Sequence, residues 1–269
     1  MIKITDLHKK FNEGTFDEVY ALRGIDLDIN QGDFITIIGT NGSGKSTLLN
    51  AISGSFIADK GKIEIKNKDV TKKHDYSRAK YIARVFQNPF LGTAPGMTIA
   101  ENLHLANMRG KSRNLWISLD SKSKSYYREQ IAMLEMQLED RMNNVIGTLS
   151  GGQRQAITLL MAIIQKPDVL LLDEHTAALD PKSAAQLIRL TKMFIERDSL
   201  TTVMITHSMQ QAIELGNRTI MMHKGKIIEE ITLKEKSMLN VDDLLDKFAN
   251  IRKIEKLTTE MLNEFRNNY

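Results

Sequence analysis

Cysteine is absent from this chain of 269 residues. Its absence excludes disulfide bonds and cysteine-ligated metal centres, and it permits a reducing compartment. Long apolar runs are also lacking, because stretches such as Ala156 to Ile164 fall far short of the ~18 residues that a membrane-spanning helix needs. The first residues show no signal-peptide pattern. We therefore expect a chain that is soluble by itself and leaves any membrane crossing to another chain.

No excess of charge of one sign marks the surface. The 37 Lys and Arg residues interleave with 33 Asp and Glu residues, for a net charge of +4, which is typical of a mixed solvated surface. We expect no nucleic-acid partner. Hydrophobic residues make up 42% of the chain, enough for a sizeable core in one large α/β domain or two small ones.

Three short apolar runs predict the centre of the fold. They are residues 34–38, 169–172 and 202–205, and each lies next to a helix-like segment, as in a mostly parallel sheet. Earlier segments that begin at Ile2 and Ile25 alternate apolar and polar residues, which is typical of strands. The chain is therefore predicted to be an α/β protein.

Two regions differ from this centre. Residues 90–148 have few β-branched runs and are predicted to form an inserted helical subdomain with a basic loop. Residues 241–265 space their apolar side chains as an amphipathic helix does. We expect a main domain at residues 1–235 and a helical tail at residues 236–269. The basic residues of the insertion are Arg109, Lys111, Arg113, Lys122 and Lys124. They form either a solvated loop or a contact for anionic headgroups.

A phosphate-binding loop is predicted between the first apolar run and the helix after it. The segment Gly39–Ser46 matches G-x-x-x-x-G-K-[ST], in which glycines let backbone N–H groups converge on phosphate and the helix N-terminus adds positive charge. Lys45 would reach the β- and γ-phosphates, and the hydroxyl of Ser46 would bind Mg²⁺. The predicted set is Gly39, Asn41, Gly42, Ser43, Gly44, Lys45, Ser46 and Thr47. The motif predicts a P-loop NTPase core but does not distinguish kinase, GTPase, motor and transporter.

Two carboxylates follow the second apolar run. Side chains alternate along a strand, so Asp173 and Glu174 need not share one task. Asp173 is predicted to face Mg²⁺, directly or through water, and Glu174 to polarise the attacking water as general base. A strand end with two solvated acids is the alternative.

The segment Leu149–Gln153 reads L-S-G-G-Q and precedes the helix that leads to those carboxylates. With this motif unaltered, the chain resembles the ATPase domain of ABC proteins. A serine and two glycines at a helix start form a second small anion site. The resemblance implies that Ser150, Gly151, Gly152 and Gln153 contact ATP held by the phosphate loop of a partner subunit. It also implies an N-terminal antiparallel β subdomain beside the main sheet.

Further elements follow in the order of that family. Gln87 looks like the glutamine that contacts Mg²⁺ and the lytic water and links to the membrane subunit. The segment Ala178–Asp180 looks like the loop that crosses the dimer interface, so Asp180 joins the predicted nucleotide site. His207 looks like the histidine that contacts the γ-phosphate. Catalysis is thus assigned to Glu174, His207, Lys45 and Gln87, and metal binding to Ser46, Gln87 and Asp173.

Two positions are less constrained by the resemblance. Phe11 is the aromatic residue assigned to stack on adenine, with Tyr20 and Phe16 as competitors. His175 departs from the family, in which proline usually follows the catalytic glutamate. It either influences Glu174 or a phosphate, or it packs within its loop.

The resemblance implies an ATP-hydrolysing subunit that uses ATP and Mg²⁺ and pairs head to tail with a second copy or a paralogous ATPase. Its partners would be transmembrane permease subunits and an extracytoplasmic binding protein, its place the cytoplasmic face of the membrane, and its cargo a small solute such as an amino acid. Alternatives are an ABC ATPase that acts mechanically at the membrane, a soluble ABC protein, and a small-molecule kinase.

Overall fold

The computed structural model describes residues 1–110 and 119–250. The strands are β1 (Ile2–Phe11), β2 (Val19–Ile29), β3 (Phe34–Gly39), β4 (Lys60–Ile65), β5 (Lys68–Asp69), β6 (Ile82–Val85), β7 (Val169–Asp173), β8 (Thr201–Ile205), β9 (Arg218–His223) and β10 (Lys226–Thr232). The helices are α1 (Lys45–Ser53), α2 (Asp75–Arg78), α3 (Ile99–Asn107), α4 (Ser121–Ala132), α5 (Gly151–Ile163), α6 (Pro181–Asp198), α7 (Met209–Glu214) and α8 (Leu233–Lys236). Residues 241–250 are also helical.

The predicted sheet of apolar runs is present. Its six strands lie in the order β10-β9-β3-β8-β7-β6, and every neighbouring pair from β9 to β6 is parallel, whereas β10 pairs antiparallel with β9. Strand β3 lies between β8 and β9, with both faces buried. The expectation of a mostly parallel core is confirmed.

A second sheet lies on one side of the first, and helix α1 packs between them. Its strands lie in the order β2-β1-β4-β5, with antiparallel pairing throughout. Ile2 of β1, Leu48 of α1 and Val169 of β7 belong to one buried cluster. Helix α1 therefore packs between the two sheets, and the antiparallel β subdomain implied by the resemblance is confirmed.

The helical region covers the opposite face of the main sheet. Leu170 and Leu172 of β7 point to this face, whereas Val169 and Leu171 point to α1, as the two-residue period of a strand requires. Helices α3, α4, α5 and α6 contribute to this second cluster. The basic residues Lys111 and Arg113 lie outside the described residues, so the predicted loop is described only in part.

The tail packs on the main domain where it is described. Leu244 and Phe248 are buried with Ile38, Met221 and Ile231, so residues 241–250 act as a docking element for the core. The rest of the predicted amphipathic helix, from residue 251 to residue 265, lies outside the described residues. Within residues 1–110 and 119–250, no helix is long and apolar enough to cross a bilayer.

His175 is buried between the end of β7 and helix α6. Its exposed fraction is 1%, and its Nε2 lies 3.1 Å from the hydroxyl of Thr191. That hydroxyl donates to the carbonyl of Leu187, so Nε2–H donates to Thr191 and Nδ1, which has no partner, carries no proton. Burial lowers the pKa of His175 to about 4. This side chain therefore packs in its loop as a neutral group.

We expect this burial to make stability depend on pH. The pKa of His175 is lower in the folded chain than the ~6.5 of an unfolded histidine, so the unfolded state binds more protons as pH falls from 6.5 towards 4. In this window the wild type should lose up to ~1.4 kcal/mol of unfolding free energy per pH unit relative to His175→Gln. Urea unfolding between pH 7.5 and pH 4.5 measures the difference, with the exposed His74→Gln as control. Parallel pH profiles for wild type and His175→Gln would contradict the assignment.

Candidate active site

The phosphate loop connects the end of β3 to the start of α1. Gly42 and Gly44 have φ angles of 75° and 97°, a left-handed region that only glycine adopts at low cost. At Gly44 a Cβ would also lie 2.5 Å from the carbonyl oxygen of Ala21. The hydroxyl of Ser43 is buried and has no protein partner. The glycines leave room for a phosphate group in this loop, and the unpaired Ser43 hydroxyl is a donor for it.

Lys45 is the first residue of α1 and is 5% exposed. Its Nζ donates to the carbonyls of Gly39 and Thr40, at 2.9 and 3.0 Å. Burial lowers the pKa of Lys45, and the carboxylates of Glu174 and Asp173 act in the opposite direction. The ammonium group is therefore held across the loop, where an incoming phosphate would compensate its desolvation.

Glu174 and His207 meet beside the loop. Glu174 has a φ of 47°, and its N–H donates to the carbonyl of Ile205 at 3.1 Å, which holds the end of β7 against β8. The Oε1 of Glu174 lies 2.6 Å from the Nε2 of His207. The Glu174 side chain is 13% exposed and that of His207 is 46% exposed, so a largely buried carboxylate lies under a solvent-facing imidazole.

These groups line one cleft of about 290 Å³. Its walls are Asn41, Gly42, Ser43, Gly44, Lys45, Ser46, Thr47, Glu174 and His207. Among the described residues, no three His, Asp or Glu side chains cluster so that they could hold a metal ion alone. Ser46 is exposed at the start of α1. A divalent cation bound here would therefore depend on phosphate oxygens together with Ser46, which fits a metal that enters with a nucleotide.

Two of the predicted metal contacts lie in a neighbouring groove. Asp173 and Gln87 line this groove of about 680 Å³. There the Nη2 of Arg84 donates to Oδ2 of Asp173 at 2.5 Å, and its Nη1 donates to Oδ1 of Asn50 at 2.6 Å. Neither Arg84 nor Asn50 was predicted from the sequence. The sequence signal for Arg84 was its charge within the otherwise apolar segment 82–85.

The L-S-G-G-Q segment does not line the phosphate cleft. Ser150 is the N-cap of α5, and its hydroxyl accepts from the N–H of Gln153 at 3.3 Å in a capping box. A Cβ at Gly152 would lie 2.7 Å from the Ser183 hydroxyl. Gly151 lines the groove of Asp173 rather than the phosphate cleft. The chain therefore carries the phosphate loop and this second helix start as separate surfaces.

Asp180 begins the helix that follows. Its carboxylate accepts from the N–H groups of Lys182 and Ser183, both at 3.1 Å. Hydrogen bonds from the side chain of Ser183 and from these N–H groups lower the pKa of Asp180. It caps α6 on an exposed loop next to Leu179. Its predicted part in a nucleotide site therefore requires another subunit to reach this loop.

Phe11 lies at the end of β1, in the sheet that passes beside the phosphate loop. It pairs in register with Val19 of β2, two residues before Ala21, whose carbonyl faces Gly44. Its ring packs edge-on against Phe56. The competing Tyr20 is engaged with His8, whereas Phe16 is fully exposed. Assignment of adenine stacking to Phe11 stays a prediction.

Comparison with known proteins gives a consistent result. The model of the family described as ABC transporter matches residues 22–177. The chain is 40% identical over 248 residues to the tyrosine transport ATP-binding protein of Clostridioides difficile, covering 92% of this chain and 98% of that protein. It is 32% identical to the glutamine transport ATP-binding protein of Geobacillus stearothermophilus, covering 82% of this chain and 88% of that protein.

Solved structures match along most of the chain as well. A dimeric ATP-binding cassette in a post-hydrolysis state with ADP and Pi superposes with a TM-score of 0.74 at 30% identity, covering 87% of this chain and 99% of that one. A second ATP-binding cassette of an ABC transporter gives a TM-score of 0.76 at 26% identity, covering 94% of this chain and 98% of that one. With the phosphate loop, the carboxylates and the L-S-G-G-Q helix in place, the chain belongs to the ABC transporter family as an ATP-binding, ATP-hydrolysing subunit.

Proposed function

We propose that two copies of this ATPase close head to tail on two ATP molecules and power the uptake of a small solute through a separate permease. One observation carries the proposal. The phosphate cleft and the Ser150 helix start are both built and exposed, yet one chain does not bring them together. A second copy, turned to face the first, would supply each cleft with the missing anion site. A paralogous ATPase with the same motifs would serve equally.

Hydrolysis would begin from the contacts already made in the cleft. Glu174 would accept a proton from water as that water attacks the γ-phosphorus in line. His207, 2.6 Å from Glu174, would orient this carboxylate and face the γ-phosphate. Lys45 would exchange its carbonyl partners Gly39 and Thr40 for phosphate oxygens. Mg²⁺, when bound through Ser46, Asp173 and Gln87, would neutralise charge on the leaving phosphate.

A permease contact is supported by the groove beside Gln87. Phe90 and Leu91 are neighbours in the chain that both line this groove, and they are 57% and 71% exposed, so together they form an apolar patch for a partner to cover. The amide of Gln155 in α5 donates to the carbonyl of Phe86 at 2.9 Å. A partner that binds in the groove and shifts Phe86 would therefore also move α5, the helix that Ser150 caps.

The proposed cargo follows from the relatives. Two of them are named for the transport of amino acids, tyrosine and glutamine. We extend this cargo class to the present chain, with an extracytoplasmic binding protein to select the solute. The subunit would then lie at the cytoplasmic face of the membrane, held there by its permease.

Replacement of the base tests the mechanism. Glu174→Gln keeps the side-chain shape but cannot accept a proton, so turnover should fall by roughly 10²–10⁴-fold, while ATP binding persists. Bound ATP should then accumulate in a stable dimer. Steady-state phosphate release and light scattering with and without ATP measure the two effects. Glu196→Gln, at an exposed position of α6, should behave as wild type. Normal turnover by Glu174→Gln would refute the assignment of the base.

Isolation from native membranes tests the transport assignment. Tagged wild-type chain in mild detergent should bring down a multi-span permease and an extracytoplasmic binding protein. Leu91→Glu places a charge in the apolar groove and should lose the permease while it retains ATP binding. Met238→Glu, at a side chain 73% exposed and remote from the groove, is the matched control. Recovery of no membrane partner with wild type would contradict the uptake function.

A further inference from the structure

Arg84 forms an ion pair with Asp173, one of the predicted metal ligands. It lies in β6, opposite Leu171 of β7. The side chains of Arg84 and Asp173 are 14% and 15% exposed, so the ion pair is largely shielded from water. At this burial the cost of desolvation offsets much of the attraction between the two charges, and removal of one partner leaves a costly uncompensated charge.

The ion pair engages the carboxylate of Asp173, to which the proposed metal would also bind. Asp173 lines the groove with Gln87 and Asn50, whereas Glu174 lines the phosphate cleft. We propose that Arg84 is the counter-ion of Asp173 while no metal is bound and that Mg²⁺, arriving with the nucleotide, takes its place. The inference rests on the proposed Mg²⁺ site. Arg84 is thus a positioning residue that sets how strongly the metal and the nucleotide favour each other's binding.

The structure leaves Arg84 with partners after such an exchange. Its Nη1 already donates to Oδ1 of Asn50, and its guanidinium lies 4.7 Å from the ring centroid of Phe86. Its Nε has no partner and is free to form a bond in a shifted position. Loss of the Asp173 contact would therefore not strand the charge without compensation.

Arg84 also touches every segment that carries a predicted metal contact. Asn50 belongs to α1, the helix that begins beside Ser46, and Phe86 precedes Gln87. Asp173 is the third contact. A cation that displaces the guanidinium from Asp173 would thus alter contacts of α1, β6 and β7 together. No such hub was predicted from the separate motifs.

The experiment measures how strongly Mg²⁺ assists nucleotide binding. Calorimetry with a non-hydrolysable ATP analogue gives one Kd in EDTA and one in saturating Mg²⁺, and their ratio is the coupling. Arg84→Met should raise this ratio by about tenfold, for two reasons. Without Mg²⁺ the analogue loses a nearby cation, and with Mg²⁺ the metal meets an unoccupied carboxylate. Arg84→Lys retains the charge, and its ratio should stay near that of wild type.

A matched control removes a comparable ion pair elsewhere. Arg218 lies 2.7 Å from Asp33 with side chains 16% and 10% exposed, and Asp33 precedes β3 at the end opposite the phosphate loop. Arg218→Met should destabilise the fold but leave the ratio unchanged.

The results distinguish an error in the exchange at Arg84 from an error in the Mg²⁺ site on which it rests. A ratio for Arg84→Met equal to or below that of wild type would overturn the exchange. A wild-type ratio of one would instead refute the Mg²⁺ site itself. If circular dichroism shows that Arg84→Met does not fold, Arg84→Gln is compared with Arg84→Lys instead. Arg84→Gln should then raise the ratio and Arg84→Lys should not, and equal ratios would overturn the inference.

Discussion

Parallel pairing of β6, β7, β8 and β3 is the constraint on which the site depends. Because parallel strands run in one direction, their carboxyl ends meet at the same edge of the sheet. The residues just beyond β3, β7 and β8 are the phosphate loop, Glu174 and His207, and Gln87 follows β6 at the same edge. Groups far apart in sequence are thus placed within one cleft and its neighbouring groove without any local sequence signal that joins them.

The charged side chains at this edge have partners within the chain. Lys45 donates to loop carbonyls, Arg84 pairs with Asp173, and His207 contacts Glu174. A bound phosphate or metal would therefore exchange these partners rather than meet uncompensated charges.

The sequence predicted what depends on short motifs and periodicity. The apolar runs of residues 34–38, 169–172 and 202–205 became β3, β7 and β8, and the glycine pattern of residues 39–46 became a phosphate-sized cradle. It did not predict the contacts of Arg84 or of Gln155, because these join side chains or backbone atoms of elements distant in sequence. The burial of His175 was open for the same reason. Its environment comes from α6, and no local pattern reports it.

In the proposed dimer, each ATP lies between the phosphate loop of one copy and Ser150 of the other. Since the chain has no cysteine, two single-cysteine variants, Asn41→Cys and Ser150→Cys in the Glu174→Gln background, can be mixed and treated with a short bis-maleimide. Both positions are exposed. With ATP, the mixture should form a cross-linked pair of chains that neither variant forms alone and that ADP does not support. Failure to cross-link with ATP, although both variants bind it, would contradict the head-to-tail account.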